Sequence, residues 1–242
     1  MSNIEEYTEA QRVNFAAMKA SPHFKLISLT DELYGRTYKI VAINSVSTYK
    51  YARFMLLGHQ SLLAAASLIG QCQPMDAAAI TRRAIEMTRI AFAIKHDKRG
   101  WEKWVDYTGR AERWASRQIG ERPKPLVPIK YDIPDHPLIK ELMDELGSLS
   151  DGYIHFTPEY YASQNWREVK DANPPRLELI YFISDVRVVE RDMFLLAAVH
   201  LKMLLIFDEC LDHALVADNE WKAILDGLVA EGEKLKQTLQ MR

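Results

Sequence analysis

Arg82, Glu86 and Arg89 stand four and then three positions apart, which on a helix brings three charges onto one face. Glu86 can then pair with both guanidiniums. An Arg-Glu-Arg group holds a phosphate in a fork of N–H donors, or positions a catalytic side chain. The same spacing also makes an ordinary solvated, salt-bridged face. A second group of reactive types lies in Leu149-Ser-Asp-Gly-Tyr-Ile-His-Phe-Thr-Pro158. There His155 is suited to proton transfer near neutral pH, Asp151 can orient it, and Ser150 or Tyr153 can bind a ligand oxygen. The competing reading has Ser150 or Asp151 capping a turn and His155 bonded to a backbone carbonyl.

A third group is basic and aromatic. Trp101, Trp104, Tyr107 and Trp114 alternate with Lys98, Arg99, Lys103, Arg110, Arg113 and Arg117. Positions 98 to 124 hold eight basic and four acidic residues in a chain of net charge −2. That pattern suits single-stranded nucleic acid, through phosphate attraction and base stacking. Because Trp101, Trp104, Thr108, Ala111 and Ala115 also recur at helical spacing, the tryptophans equally read as core anchors. Asp208, Glu209, Asp212 and His213 form an acidic turn that reads as a solvated face, and no Glu-x-x-His pair of the di-metal bundles is present. No metal and no cofactor is expected. Phosphate-binding glycine loops, Gly-x-Ser-x-Gly and His-Glu-x-x-His are all missing.

These groups must be positioned by helices, because helical periodicity runs through nearly the whole chain. A first helix carries Ile4, Tyr7, Phe15 and Met18 on one face and stops at Ser21-Pro22. Thr30 reads as the cap of a second helix that could run to Gly70, weakest between Tyr38 and Tyr49. Helices are predicted over 75–95, 98–118 and 137–146, then a long buried one over 176–216 with Leu195, Val199, Leu201 and Leu205 in the core. Asp218 caps the last helix, whose apolar face is Trp221, Leu225, Leu228 and Leu235. Residues 121 to 137 hold five of the ten prolines and read as an extended crossover loop.

Composition agrees with this picture. Apolar residues make up 48% and charged residues 26% of 242 positions, enough for a substantial core and incompatible with disorder. Cys72 and Cys210 match no zinc or redox spacing and read as reduced, buried thiols. The acidic N-terminus lacks an apolar signal region, and the most apolar run, Met193 to Phe207, is shorter than the roughly 20 residues of a membrane span. A cytoplasmic protein with no membrane partner is expected. The fold class is all-α: one helical domain over 1–242, with an N-terminal helical arm at 1–30 and the Pro-rich loop at 121–137.

The run Ala78-Ala-Ile-Thr-Arg-Arg-Ala-Ile-Glu-Met87, an aromatic helix after it, and then Leu149 to His155 resemble an uncharacterised bacterial helical family related to the HEPN superfamily. The resemblance covers roughly residues 60 to 210. It implies a helical bundle, in many members an RNA-cleaving toxin or defence effector and in others a non-catalytic binding module. Catalytic members carry Arg followed by His after four to six intervening residues, Arg holding the scissile phosphate and His handling protons. This chain departs from that pattern, since Ser148, Leu149 and Ser150 occupy those positions before His155. Arg53/His59 and Arg89/His96 fit the spacing literally, about as often as chance supplies it in a chain with sixteen Arg and seven His. The resemblance therefore implies a site built from Arg83, Glu86 and His155, with Arg82, Arg89, Ser150, Asp151 and Tyr153 as ligand contacts. RNA binding or metal-independent RNA cleavage in bacterial defence or stress is the expected function, and a homodimer is admitted. The alternative is a non-catalytic helical interaction or ligand-binding module.

Overall fold

The structure, a computed structural model, describes residues 3–44, 49–71, 73–115, 129–131, 133–149, 166–169, 176–179 and 186–240. It is all-α in class. The helices are α1 (Asn3–Ala20), α2 (Phe24–Asn44), α3 (Tyr49–Gly70), α4 (Pro74–His96), α5 (Gly100–Ala115), α6 (Pro137–Leu149), α7 (Val186–Cys210) and α8 (Asn219–Gln240). One short antiparallel ladder joins β1 (Trp166–Val169) to β2 (Arg176–Leu179), with Trp166 opposite Leu179.

Local chemistry explains most of the boundaries. Ser21-Pro22 ends α1, and the Phe24 N–H donates to the Ser21 carbonyl at 3.1 Å, which turns the chain into α2. Thr30 is therefore not a cap. It lies inside α2, fully buried, and its hydroxyl donates to the Leu26 carbonyl at 2.7 Å. Pro74 opens α4, where a missing N–H costs nothing. Asp218 does cap α8, accepting the Trp221 N–H at 2.9 Å, while Arg36 donates to the same carboxylate at 2.8 Å. The Arg36 hydrogen bond, then the Trp221 N–H, hold that carboxyl down at about 2.

The expected long helix over 176–216 is shorter at both ends. Residues 176–179 form β2, and the helix stops at Cys210. Asp212 and His213 then take positive φ (55° and 63°), conformations these residue types tolerate better than most. Buried Asp208 fixes this turn by accepting the Leu215 and Val216 N–H groups at 2.8 and 3.1 Å.

The core forms where α7 meets α1, α2, α3, α4 and α6, with α3 laid along α4 and α8 on α2. Small residues on both partners (Ala65, Ala66, Ala77, Ala84) let α3 and α4 approach closely. The α7 core stripe runs Met193, Leu196, His200, Met203 and Phe207, each at most 3% exposed. Of the four residues expected there only Val199 is buried; Leu195 is 43% exposed, and Leu201 and Leu205 are partly buried at the margin. The polar His200 at the centre of the stripe disguised its register. By length and composition α3 is apolar enough over Lys50–Gly70 to cross a membrane, yet Phe54, Met55, Leu62 and Ala65 pack into this core. Cys210 is buried, and burial raises its thiol to about 12.

Candidate functional site

Packing on α3 and α7 buries Thr81, Ala84, Ile85, Thr88, Ala91 and Phe92 of α4 and leaves its charged residues outward. On that outer side Arg82 Nε donates to Glu86 Oε1 at 3.2 Å. Arg89, one turn further on, is exposed and has no ion-pair partner among the described residues. The expected double pairing of Glu86 is thus half realised. Arg83 is exposed on the flank of the same helix.

Glu86 and Arg89 line a cavity of about 250 Å³ whose walls are Ile90 of α4, Trp104 and Tyr107 of α5, Ile129 and Tyr131 of the segment before α6, and Leu146 of α6. Trp104 is held against Phe54 of α3, ring centroids 5.4 Å apart, so it serves as core anchor and cavity wall together. Trp101 is 40% exposed and is no anchor. The Tyr131 hydroxyl is hidden from solvent with no hydrogen-bond partner among the described residues, and burial raises it to about 12. Arg110 donates to Asp106 at 3.1 Å, so the basic character expected of this helix is locally compensated at that position.

Arg89 also borders a second, wider depression of about 880 Å³ that includes His136 and Lys140. At its edge two histidines share one carboxylate. His96 Nε2 lies 3.1 Å from Glu209 Oε1, and His136 Nε2 lies 2.9 Å from Glu209 Oε2. Phe92 packs against both rings, with centroids 4.3 and 5.0 Å away. The bridge joins the end of α4, the residue before α6 and the last turn of α7. Lys95 and Asp212 form a further ion pair beside it. The acidic turn at 208–213 is therefore not a plain solvated face. Asp208 ties a turn, Glu209 holds two histidines and Asp212 pairs with a lysine. Among the described residues no group of His, Cys, Asp and Glu is arranged to hold a metal ion.

No family model, curated protein or solved structure matches this chain. The site accordingly rests on its geometry alone.

Ser150, Asp151, Tyr153 and His155 lie outside the described residues. α6 ends at Leu149, one position before Ser150, and Leu146 in its last turn lines the 250 Å³ cavity.

Two polar groups in the interior went unread in the sequence. Tyr34 OH and His200 Nδ1 are 3.0 Å apart in the core, and Tyr34 stacks on His59, whose Nε2 reaches Asp31 at 2.6 Å. Ser21 donates to buried Glu190 at 3.1 Å, with His23 beside it at 3.7 Å. The histidine bridge at Glu209 was also missed. His96 and His136 are forty positions apart and Glu209 is further still, so no spacing rule joins them. The one available signal was the literal Arg89/His96 match, which chance explains equally well.

Proposed function

We propose that this chain is a HEPN-like bacterial protein, a single helical domain of the cytoplasm that binds single-stranded RNA and cleaves it without a metal. The observation carrying this reading is Arg89. It is an exposed guanidinium with no ion-pair partner among the described residues, standing between an aromatic-walled cavity and a depression bordered by His136 and Lys140. Aromatic faces take bases by stacking and a free guanidinium takes a phosphate, the two requirements of sequence-tolerant single-strand binding.

Cleavage follows from the neighbouring histidines. In the reaction a 2′-hydroxyl attacks the adjacent phosphorus, the bond to the 5′-oxygen breaks, one group removes the 2′ proton and another protonates the leaving oxygen. Arg89 would offset the charge that develops on the phosphate oxygens. Exposed His96, its Nε2 held by Glu209, is suited to one proton transfer, whereas His136, with Nε2 on Glu209 and Nδ1 buried without a partner among the described residues, serves to position Glu209. His155, which lies outside the described residues, is proposed for the other proton transfer, and exposed Arg83 for a second phosphate contact.

A second reading is favoured by the same bridge. Glu209 ties α4, the segment before α6 and α7 together, so the histidines serve equally as a structural clamp in a non-catalytic interaction module. The test uses a fluorescein-labelled single-stranded RNA at several salt concentrations. Affinity should fall with salt, Arg89→Gln should reduce the slope of log K against log salt by about 1, and His96→Ala should abolish cleavage while binding persists. RNA bound and left intact by the wild type supports the clamp. No binding at low salt refutes the RNA reading.

A further inference from the structure

We infer that the 250 Å³ cavity on α4 is a base-reading pocket for guanine, with Glu86 as the residue that selects it. This deepens the RNA reading above and rests on it. The size comes first. Pockets for drug-sized ligands run to about 300–1,000 Å³, so a cavity of about 250 Å³ takes one planar ring system and little more. Trp104 and Tyr107 supply aromatic walls, and Ile90 and Leu146 supply apolar ones. A flat ring with polar edges fits that lining better than an aliphatic ligand does.

Selection follows from Glu86, the one carboxylate among the described residues that line the cavity. Glu86 Oε1 accepts from Arg82 Nε at 3.2 Å, while Oε2 has no partner among the described residues. An ionised carboxylate only accepts hydrogen bonds. Among the four bases, only guanine offers two adjacent donors, N1–H and the 2-amino group, to a pair of acceptor oxygens. Adenine and cytosine each place a ring acceptor beside their amino donor, and uracil flanks its single N–H with carbonyl oxygens. Each would set an acceptor lone pair against the carboxylate, a repulsive contact that discriminates as strongly as the attractive one. Arg82 fixes the rotamer of Glu86 through its Nε hydrogen bond, as a positioning residue. Arg89, three positions along, borders the cavity and the wider depression, where it meets the phosphate of the bound nucleotide.

The experiment compares labelled octauridylate carrying one central guanosine, adenosine or inosine, with unsubstituted octauridylate as reference, by fluorescence anisotropy at low salt. A good bidentate contact discriminates about tenfold to a hundredfold, so the guanosine oligomer should bind at least about tenfold tighter than the adenosine one. Inosine, which keeps N1–H and lacks the 2-amino group, should fall between them. Glu86→Gln, which replaces one acceptor by a donor, should erase the guanosine preference while the circular dichroism spectrum and melting temperature stay at wild-type values. Equal affinity for all four oligomers overturns the guanine assignment and leaves the RNA reading intact. A guanosine preference that survives Glu86→Gln overturns the role of Glu86. If no oligomer binds, the RNA reading falls and the inference falls with it.

Discussion

His200 should make this protein lose stability in mild acid. Its ring is wholly buried in the α7 core stripe, its Nδ1 is 3.0 Å from the Tyr34 hydroxyl, and its Nε2 has no partner among the described residues. Burial, followed by the charge on His59, lowers its pKa to about 3. A histidine in the unfolded chain titrates near 6.5. Between those two values the unfolded state holds a proton that the folded state refuses, so stability is full above about 6.5 and drains away as the pH falls toward 3. From pH 7 to pH 5 the protonation of the unfolded chain alone costs about 2 kcal/mol. That is a large share of the 5–15 kcal/mol typical of a domain. Urea denaturation at the two pH values measures it. The control is the paired substitution His200→Leu with Tyr34→Phe, which removes both polar partners together and avoids stranding either. The drop between pH 7 and pH 5 should be smaller in the double variant by about 2 kcal/mol. An equal drop in both proteins would show that His200 does not carry the effect, and the reasoning from its burial would fail.

Two further predictions concern packing. Leu204→Ala, at a fully buried position of α7, should cost about 2–5 kcal/mol, whereas Leu195→Ala, on the opposite face and 43% exposed, should stay within about 0.5 kcal/mol; chemical denaturation of both variants checks the register of the helix. Gly100→Ala should destabilise, because its Cβ would stand 2.8 Å from the Ile94 Cα and 2.9 Å from the Ala93 carbonyl oxygen, backbone atoms that cannot step aside. Gly227→Ala, with open space around it in α8, should instead raise stability by about 0.5–1 kcal/mol, and thermal melts that moved the same way in both variants would contradict this.

Elements were legible in the sequence where their signals are local. The starts of α4 and α8 follow from Pro74 and Asp218, and the end of α1 from Ser21-Pro22, because caps and helix breakers act through backbone groups only a few residues away. Amphipathic period alone found Trp221, Leu228 and Leu235 as the inner face of α8. The same method failed on α7. That helix is covered by five others, so its buried arc is broad, and the polar His200 at the centre of the arc broke the pattern by which a one-sided helix is recognised. Thr30 failed for a related reason: a hydroxyl that can cap a helix can also bond back to the preceding turn, and burial decided which.

The candidate site divides along the same line. The sequence by itself determined that Arg82, Glu86 and Arg89 share a helix face, since a period of 3.6 residues settles that with no help from the rest of the fold. It also determined that an aromatic and basic helix follows. Only the tertiary structure decided that Trp104 and Tyr107 of that helix close a cavity over Glu86 and Arg89, and that Glu86 spends one oxygen on Arg82 and none on Arg89. Only the tertiary structure brought His96, His136 and Glu209 together, because three residues spread over more than a hundred positions meet through the packing of α4, α6 and α7. Helix faces are set by local geometry, whereas the meeting of faces depends on which buried surfaces fit one another, and that information is distributed over the whole core.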